Sequence, residues 1–559
     1  MANKTFITVD NTDPRYETLK RGFNLRWPEK DAQSAAAVYV CRTEDEVRDA
    51  LQAVVDKEKK PEKCRPTVRS GGHCYEDFVS NNPGGVIIDI GLMSGIFIGE
   101  SNKPKYKLLA GGQNWNTAVE LYKSEGKCLP GGSCYSVGAG GHISGGGYGL
   151  LSRLHGLTVD WVAAVDILVV NEHNSVNKYH LDLHRESDMD RQSLLKACRG
   201  AGGGNFGIIT AFYFNDLPPA PKKVLFGTFQ IGWDQFIDKH GSASPKDWTA
   251  KPNFLAFLNR YAQFYKESDV KPETYGLFSM LKLTTHQTGK IALTVQYCDK
   301  NGTLTNRVPF NNFLDAIKGI NSEHPVEVVA LDSHMGFTEI PMPTASGTDA
   351  AVKLEAGVAE MDWLNATQTV NGSGSNRRGK YKSSYMKELF TQEEADAFFK
   401  FLVQDERAQK PSFNDTRIAI DSYGGAINNK CETNNGFDPA DNRTSIPQRS
   451  SILKLQYQTY WNDKAEDDIH INWIRELYYA VHEKYGRNGT PYPIKEGRYE
   501  GCYINYPDID MLKGKEPNSP DYNWLQLYYP GIHEKLVKTK AKFDPNDWFR
   551  HRMSIPRAK

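Results

Sequence analysis

The first 217 residues alternate between two hydrophobic periods. Val38 to Val40 is a short apolar run of strand type, and Thr43 with Glu46 three residues later forms a capping-box signature. It opens a helix whose apolar positions Val47, Leu51, Val54 and Val55 recur with helical spacing. Further strand-like runs fall at Thr67 to Arg69, Val86 to Ile90 and Leu108 to Ala110, followed by a helix from about Asn116 to Ser124. From Trp161 to Val170 the chain is almost continuously apolar, the pattern of a strand covered on both faces.

The pattern breaks at Leu217-Pro-Pro-Ala-Pro, because consecutive prolines end regular structure. Beyond it, Leu281 to Gln287, Ile291 to Tyr297 and Ile452 to Trp461 read as strands, and Trp248 to Tyr265 and Gln392 to Phe401 as helices. Ile471, Ile474, Leu477 and Val481 mark one face of another helix, and a last one is expected from Gly531 to Lys542. The predicted class is α+β in two unequal parts. A chain of 559 residues also exceeds the size at which one core keeps growing.

Composition narrows the function. Hydrophobic residues at 39% and aromatics at 11% suffice for large cores, so the chain folds. Lys plus Arg equals Asp plus Glu, at 68 each, which leaves no electrostatic footprint for nucleic acid or an anionic membrane. No stretch approaches the length of a membrane span. Met1 to Arg21 lacks a basic lead into an apolar run, so no secretory signal is expected and a cytoplasmic location is the default. Nine cysteines, an odd number without a Cys-x-x-Cys pair, predict neither a disulfide framework nor a zinc site, and no metal is expected.

Three stretches concentrate glycine: Arg69 to Phe78 (RSGGHCYEDF), Pro130 to Gly149 (PGGSCYSVGAGGHISGGGYG) and Gly200 to Gly207 (GAGGGNFG). Glycine lets backbone amides approach a ligand closely, and successive amides make an anion nest suited to a pyrophosphate. Neither the GxGxxG dinucleotide fingerprint nor a P-loop is laid out here, so a nucleotide-like cofactor bound in a non-Rossmann manner is favoured over three clusters of mere turns. His73 and Cys134 sit inside two of these loops, and both residue types are nucleophiles toward an electrophilic ring. Taken singly, each has a plainer reading, as a hydrogen-bonding loop histidine and a small buried cysteine.

The RSGGHCYEDF segment resembles that of flavoprotein oxidases of the vanillyl alcohol oxidase and berberine bridge enzyme superfamily, whose histidine is bonded to the 8α-methyl of FAD. The 130–149 loop resembles the one whose cysteine bonds the 6-position. The closest resemblance is to oxidases of the hexose oxidase type. It extends to the chain end through residues 371–386 (NGSGSNRRGKYKSSYM), 452–461 (ILKLQYQTYW) and 500–508 (EGCYINYPD).

The resemblance implies a two-lobed FAD-binding domain of the vanillyl alcohol oxidase (PCMH) type from 1–218 and 466–559, and a 219–465 α/β substrate domain with an antiparallel sheet. FAD would be tethered through His73 and Cys134. Further flavin contacts would come from Arg69, Ser70, Gly71, Gly72, Gly131, Gly132, Ser133, Val137, Gly138, Gly141, His142, Gly145, Gly146, Gly149, Gly204, Asn205, Gly207, Ile208, Tyr503 and Asn505. By the same matching Tyr506 of the Asn-Tyr-x-Asp motif is the base and Asp421 its helper; since an adjacent carboxylate would by charge raise a phenol's pKa, Asp421 is read as a hydrogen-bond acceptor.

A sugar site calls for aromatic platforms and amides, for which Tyr75, Tyr385, Gln456 and Gln458 are candidates; the two glutamines share one strand face. The basic cluster Arg377, Arg378, Lys380 and Lys382 reads as a solvated loop, with anion contact as the alternative. The implied activity is oxidation of the anomeric carbon of hexoses and small oligosaccharides to lactones, with dioxygen reduced to hydrogen peroxide, by a monomer or homodimer. The alternatives are a bicovalent flavin oxidase for an alkaloid, polyketide or glycopeptide-linked sugar, and a non-catalytic sugar-binding protein.

Overall fold

The computed structural model describes residues 5–58, 60–99, 104–331, 356–370, 372, 374–429 and 444–558. Three main sheets carry the architecture. A four-stranded sheet runs in the order Ile7–Asp10, Ala37–Val40, Val86–Asp89, Pro66–Arg69, with only the first strand antiparallel to its neighbour. The amphipathic helix Glu44–Glu58 sends Val47, Leu51, Val54 and Val55 into the core. Thr43 Oγ1 accepts from the Glu46 amide at 3.2 Å, while the Glu46 carboxylate turns back to the amide of Arg42, one residue earlier than a capping box requires.

An antiparallel five-stranded sheet follows in the order Ile96–Ile98, Tyr106–Leu109, Ile208–Phe214, Val162–Val170, Val176–Asp182. All nine residues of Val162–Val170 are buried, as the apolar run predicted. Trp161 itself belongs to the short preceding helix Thr158–Trp161.

The third sheet is antiparallel and eight-stranded. Its main path is Val329–Ala330, Lys223–Gly232, Lys290–Tyr297, Leu277–Thr284, Arg417–Ser422, Leu453–Trp461, Arg378–Met386, with Val358–Asp362 also paired to Lys223–Gly232. Helices Pro252–Ser268, Gln392–Phe399 and Asp467–His482 belong to its packing: Tyr261 OH donates to Ile420 O at 2.8 Å and Tyr478 OH to Ser383 O at 2.7 Å.

Two element expectations are corrected here. The helix expected from Trp248 starts at Pro252, which occupies its first turn, while Thr249–Ala250 pairs as a strand with Ile237–Asp238. Lys380 and Lys382, expected in a solvated loop, lie on the strand Arg378–Met386 and are buried in ion pairs.

Helix Asp467–His482 packs on the eight-stranded sheet, and the tail reaches the N-terminal sheets only after it. Asn505 Nδ2 donates to His142 O at 2.8 Å, Tyr529 OH to Ala201 O at 2.7 Å and Lys540 Nζ to Asn205 O at 2.6 Å. Among the described residues no helix is long and apolar enough to cross a membrane, and the eight described cysteines are free thiols; Cys431 lies outside them.

Candidate active site

The register of the eight-stranded sheet arranges its inner face in rows. Met280 lies opposite Asp421, Asp421 opposite Lys454, and Lys454 opposite Tyr385; two residues along, Lys282, Ala419, Gln456 and Ser383 form the next row, and Arg417, Gln458 and Tyr381 the third. Successive rows are roughly 7 Å apart, from the rise per residue of a strand. Above this floor the glycine-rich loops and residues 503–507 close a cavity of about 600 Å³.

His73 and Cys134 both line that cavity. Their loops are in contact: His73 Nε2 is 2.8 Å from Ser136 Oγ, and a Cβ on Gly71 would meet the Gly138 nitrogen at 2.3 Å, so only glycine permits this approach. Arg69, Ser70, Gly71, Gly72, Gly132, Ser133, Val137, Gly138, Gly141, His142, Gly149, Gly204, Asn205, Gly207, Tyr503 and Asn505 line the same space.

Four expected contacts stand back from it. Gly131 borders a small neighbouring cavity beside His142. A Cβ on Gly145 would sit 2.0 Å from Asn505 Oδ1, and one on Gly146 would press on Ile446 and Tyr503, so both make room for neighbours. Ile208 is buried and its neighbour Ile209 lines the cavity, because successive strand residues face opposite sides. Tyr385 is a fifth correction: it is buried under the site, packed edge-on against Tyr423 and Tyr503.

Of the expected substrate residues, Tyr75, Gln456 and Gln458 line the cavity. Tyr75 stacks on Tyr381 at 3.6 Å between ring centroids, and its hydroxyl accepts from Gln456 Nε2 at 2.9 Å. Gln458 Oε1 accepts from Arg417 Nε at 2.9 Å. Both glutamines therefore face the cavity, not solvent.

The structure brings Tyr506 and Asp421 together through a residue absent from the sequence reading, Lys454. Its ammonium donates to Asp421 Oδ2 at 2.7 Å and to the Tyr506 hydroxyl at 3.3 Å. It also stands over the rings of Tyr148 at 4.4 Å and Tyr506 at 4.6 Å, where the ring faces attract a cation. Strand alternation alone would have found it, since Lys454 lies two residues before Gln456 on the same face.

Burial, and then the Asp421 charge, push the Tyr506 phenol well above its ordinary pKa. Burial likewise raises the Asp421 carboxyl, against the attraction of Lys454. The Asp421 charge thus acts on the phenol in the direction expected of an adjacent carboxylate; a hydrogen-bonded cation is what can favour the phenolate, and Lys454 supplies it. Burial lowers the His73 imidazole to about 4 and raises the Cys134 thiol to about 11. At neutral pH His73 is thus an uncharged imidazole with a lone pair to offer.

The residues fit a flavin nucleotide. Gly141 and Gly204 line the cavity, and a Cβ on either would meet nothing within 4 Å, so their backbones front open space that a ring system and phosphates can fill. Asp421 Oδ1 is buried at the cavity without a hydrogen-bond partner among the described residues, as a polar atom facing a ligand site would be.

Comparison with known proteins settles the family. Residues 35–172 match the FAD binding domain model, and residues 502–556 the model for berberine and berberine-like proteins. The chain is 35% identical to the hexose oxidase of Chondrus crispus, over 98% of this chain and 94% of that protein. It belongs to the berberine bridge enzyme-like FAD-linked oxidoreductases. Within this family it is 30% identical to aclacinomycin-N/aclacinomycin-A oxidase of Streptomyces galilaeus, over 99% of this chain and 90% of that one.

Two solved family members superpose over nearly the whole chain. The oxidoreductase of the terminal step of gilvocarcin biosynthesis, with pregilvocarcin bound, gives a TM-score of 0.80 at 26% identity, covering 98% of this chain and 99% of its own. A glycopeptide hexose oxidase complexed with teicoplanin gives 0.78 at 28%, covering 98% of each chain. The fold is the PCMH-type FAD-binding fold of these berberine bridge enzyme-like flavoenzymes, and the chain is an FAD-linked oxidoreductase.

Proposed function

We propose that this chain oxidises the anomeric carbon of hexoses and small oligosaccharides to lactones, with dioxygen as the final acceptor and hydrogen peroxide as the second product. The observation that carries this is the constellation of half-buried Tyr506 with buried Lys454 and Asp421 at the cavity where the His73 and Cys134 loops meet. An alcohol with a hydrogen on the same carbon is the substrate such a site suits, because one proton and one hydride must leave together. FAD, when bound, supplies the hydride acceptor and hands the electrons to dioxygen.

Every other part belongs to the chain's own residues. Tyr506 Oη takes the proton of the anomeric hydroxyl, and the Lys454 ammonium 3.3 Å away stabilises the charge on that oxygen before transfer. Asp421 anchors Lys454 through one oxygen and presents the other to the substrate. Gln456, fixed by Tyr75, orients the sugar ring. Residues 219–465 would form the substrate domain, with 1–218 and 466–559 holding FAD.

Glucose, galactose, lactose and cellobiose should each be assayed for peroxide release. Turnover with one or more of them, at one peroxide per lactone, is the expected result. Silence with all four would move the assignment to an alkaloid, polyketide or glycopeptide-linked sugar; the solved glycopeptide hexose oxidase makes the last of these the first to try.

The tethers predict a second outcome. His73→Ala and Cys134→Ala should each keep yellow colour on the denatured polypeptide, while the double variant releases it; free flavin from either single variant would contradict two-point attachment. Attachment through His73 requires the neutral imidazole. Since its pKa is lowered to about 4, attachment in Cys134→Ala should be level above pH 5 and fail only as the pH falls through about 4. A loss setting in near pH 6.5 would mean the imidazole is not buried as described.

A further inference from the structure

We infer that Ser136 is a positioning residue for flavin attachment: it accepts the His73 Nε2 proton and so leaves Nδ1 as the bond-forming nitrogen. This rests on the covalent reading above. Two contacts of the His73 ring support it. The His73 ring is clamped on one face by Phe23, with ring centroids 4.4 Å apart and planes 23° from parallel. Its Nε2 edge is held by Ser136 Oγ at 2.8 Å. The clamp therefore fixes both the plane of the imidazole and the nitrogen committed to a hydrogen bond.

The tautomer follows from donor and acceptor roles. A neutral imidazole carries one N–H and one lone pair, and a hydrogen bond at one nitrogen decides which is which. The 2.8 Å contact by itself suits either ring tautomer; under the inference Nε2–H donates to Ser136 Oγ, which puts the lone pair on Nδ1. Ser136 also lies two residues after Cys134, in a turn where the Val137 amide donates to Cys134 O at 3.3 Å and Asn114 Nδ2 to the same oxygen at 3.2 Å. The loop carrying the second nucleophile thus prepares the first.

The chemistry balances. A C–N bond forms between Nδ1 and the carbon of the ring methyl, and one methyl C–H bond breaks. The methyl hydrogen and the Nε2 hydrogen both leave as protons, the latter toward Ser136 Oγ. The two electrons left on the ring reduce it, and dioxygen takes them with two protons as hydrogen peroxide. Each attachment event therefore yields one peroxide without sugar.

The test isolates His73 by placing each change in Cys134→Ala, where His73 is the remaining tether. Acid precipitation separates polypeptide-bound from extractable FAD, and total FAD per chain reports folding. Cys134→Ala should hold nearly all its FAD covalently, Cys134→Ala/Ser136→Ala a tenth of that or less, and Cys134→Ala/Ser136→Thr most of it again, because threonine keeps the hydroxyl.

Peptide mass mapping of the single variant Ser136→Ala gives a readout that survives weak non-covalent binding. FAD should remain on the Cys134 peptide and be missing from the His73 peptide. A His73 peptide modified as fully as in the parent overturns the inference, and so does failure of threonine to restore attachment. Absence of FAD from both peptides in the parent protein would instead sink the two-point reading beneath it.

Discussion

Tyr506→Phe is expected to lower the rate of flavin reduction by sugar by about 10²- to 10⁴-fold, the range a positioned general base contributes. Phenylalanine keeps the ring that lies 5.5 Å from Tyr75 and edge-on to Tyr503, so packing and sugar binding should change little. The parent enzyme should show kcat/KM rising with pH toward the alkaline side. Its base must be deprotonated, and burial with the Asp421 charge holds that phenol above its ordinary range.

In Tyr506→Phe the rising limb should vanish along with the rate. Lys454→Met should depress the rate too, by about 10²-fold on the same scale, and move the limb to higher pH, since the cation favouring the phenolate is gone. Stopped-flow reduction across pH 6–10 measures both, and a Tyr506→Phe variant that keeps parent-like reduction and its pH limb would remove Tyr506 from the chemistry.

The second large effect is on stability. Lys380 and Lys382, both buried, meet Glu76, Asp508 and Asp510, with Arg475 completing the set on Asp510 at 2.8 Å. Lys380 Nζ lies 2.5 Å from both Glu76 and Asp508. Burial alone would lower the lysine pKa, but Asp508, Asp510 and Glu76 together more than reverse this and hold it charged.

Removing one partner of such a buried pair strands the other charges, so Lys380→Met should cost about 3–5 kcal/mol of unfolding free energy. By contrast, Lys515→Ala, which breaks an exposed pair with Glu483, should cost less than about 1 kcal/mol. Denaturant unfolding of the two variants side by side decides the matter; equal, small losses would mean the buried network is not under the tension of uncompensated charge.

The same network shows where the sequence was legible and where it was not. The glycine loops with His73 and Cys134 could be read directly, because glycine has few reasons to cluster three times. Buried strands such as Val162–Val170 announced themselves by unbroken apolar character. Lys380 and Lys382 did the opposite. Four basic residues within six positions read as solvent-facing, and only partners more than a hundred positions away, such as Asp508, make their burial tolerable.

Tyr385 failed for a related reason: its motif placed it near the site, yet its ring is buried edge-on against Tyr423 and Tyr503, partners the sequence does not show. The early start given to helix Pro252–Ser268 was avoidable, since Pro252 marks the first turn of a helix in the sequence itself. Lys454 was also within reach, two residues from a glutamine already singled out.

Tyr506, the proposed base, reaches its place through a long-range closure. Asn505, the neighbour of Tyr506, docks on His142 O across 363 residues of chain, and Ile555 donates to Asn205 Oδ1 across 350. Such closures form late, because distant segments must first be brought together. A polypeptide still emerging from the ribosome can present both nucleophilic loops long before Tyr506 has been made. Until residues 503–507 have docked, however, the cavity in front of those loops lacks the wall lined by Tyr503 and Asn505, so cofactor retention and sugar turnover should both wait for the tail.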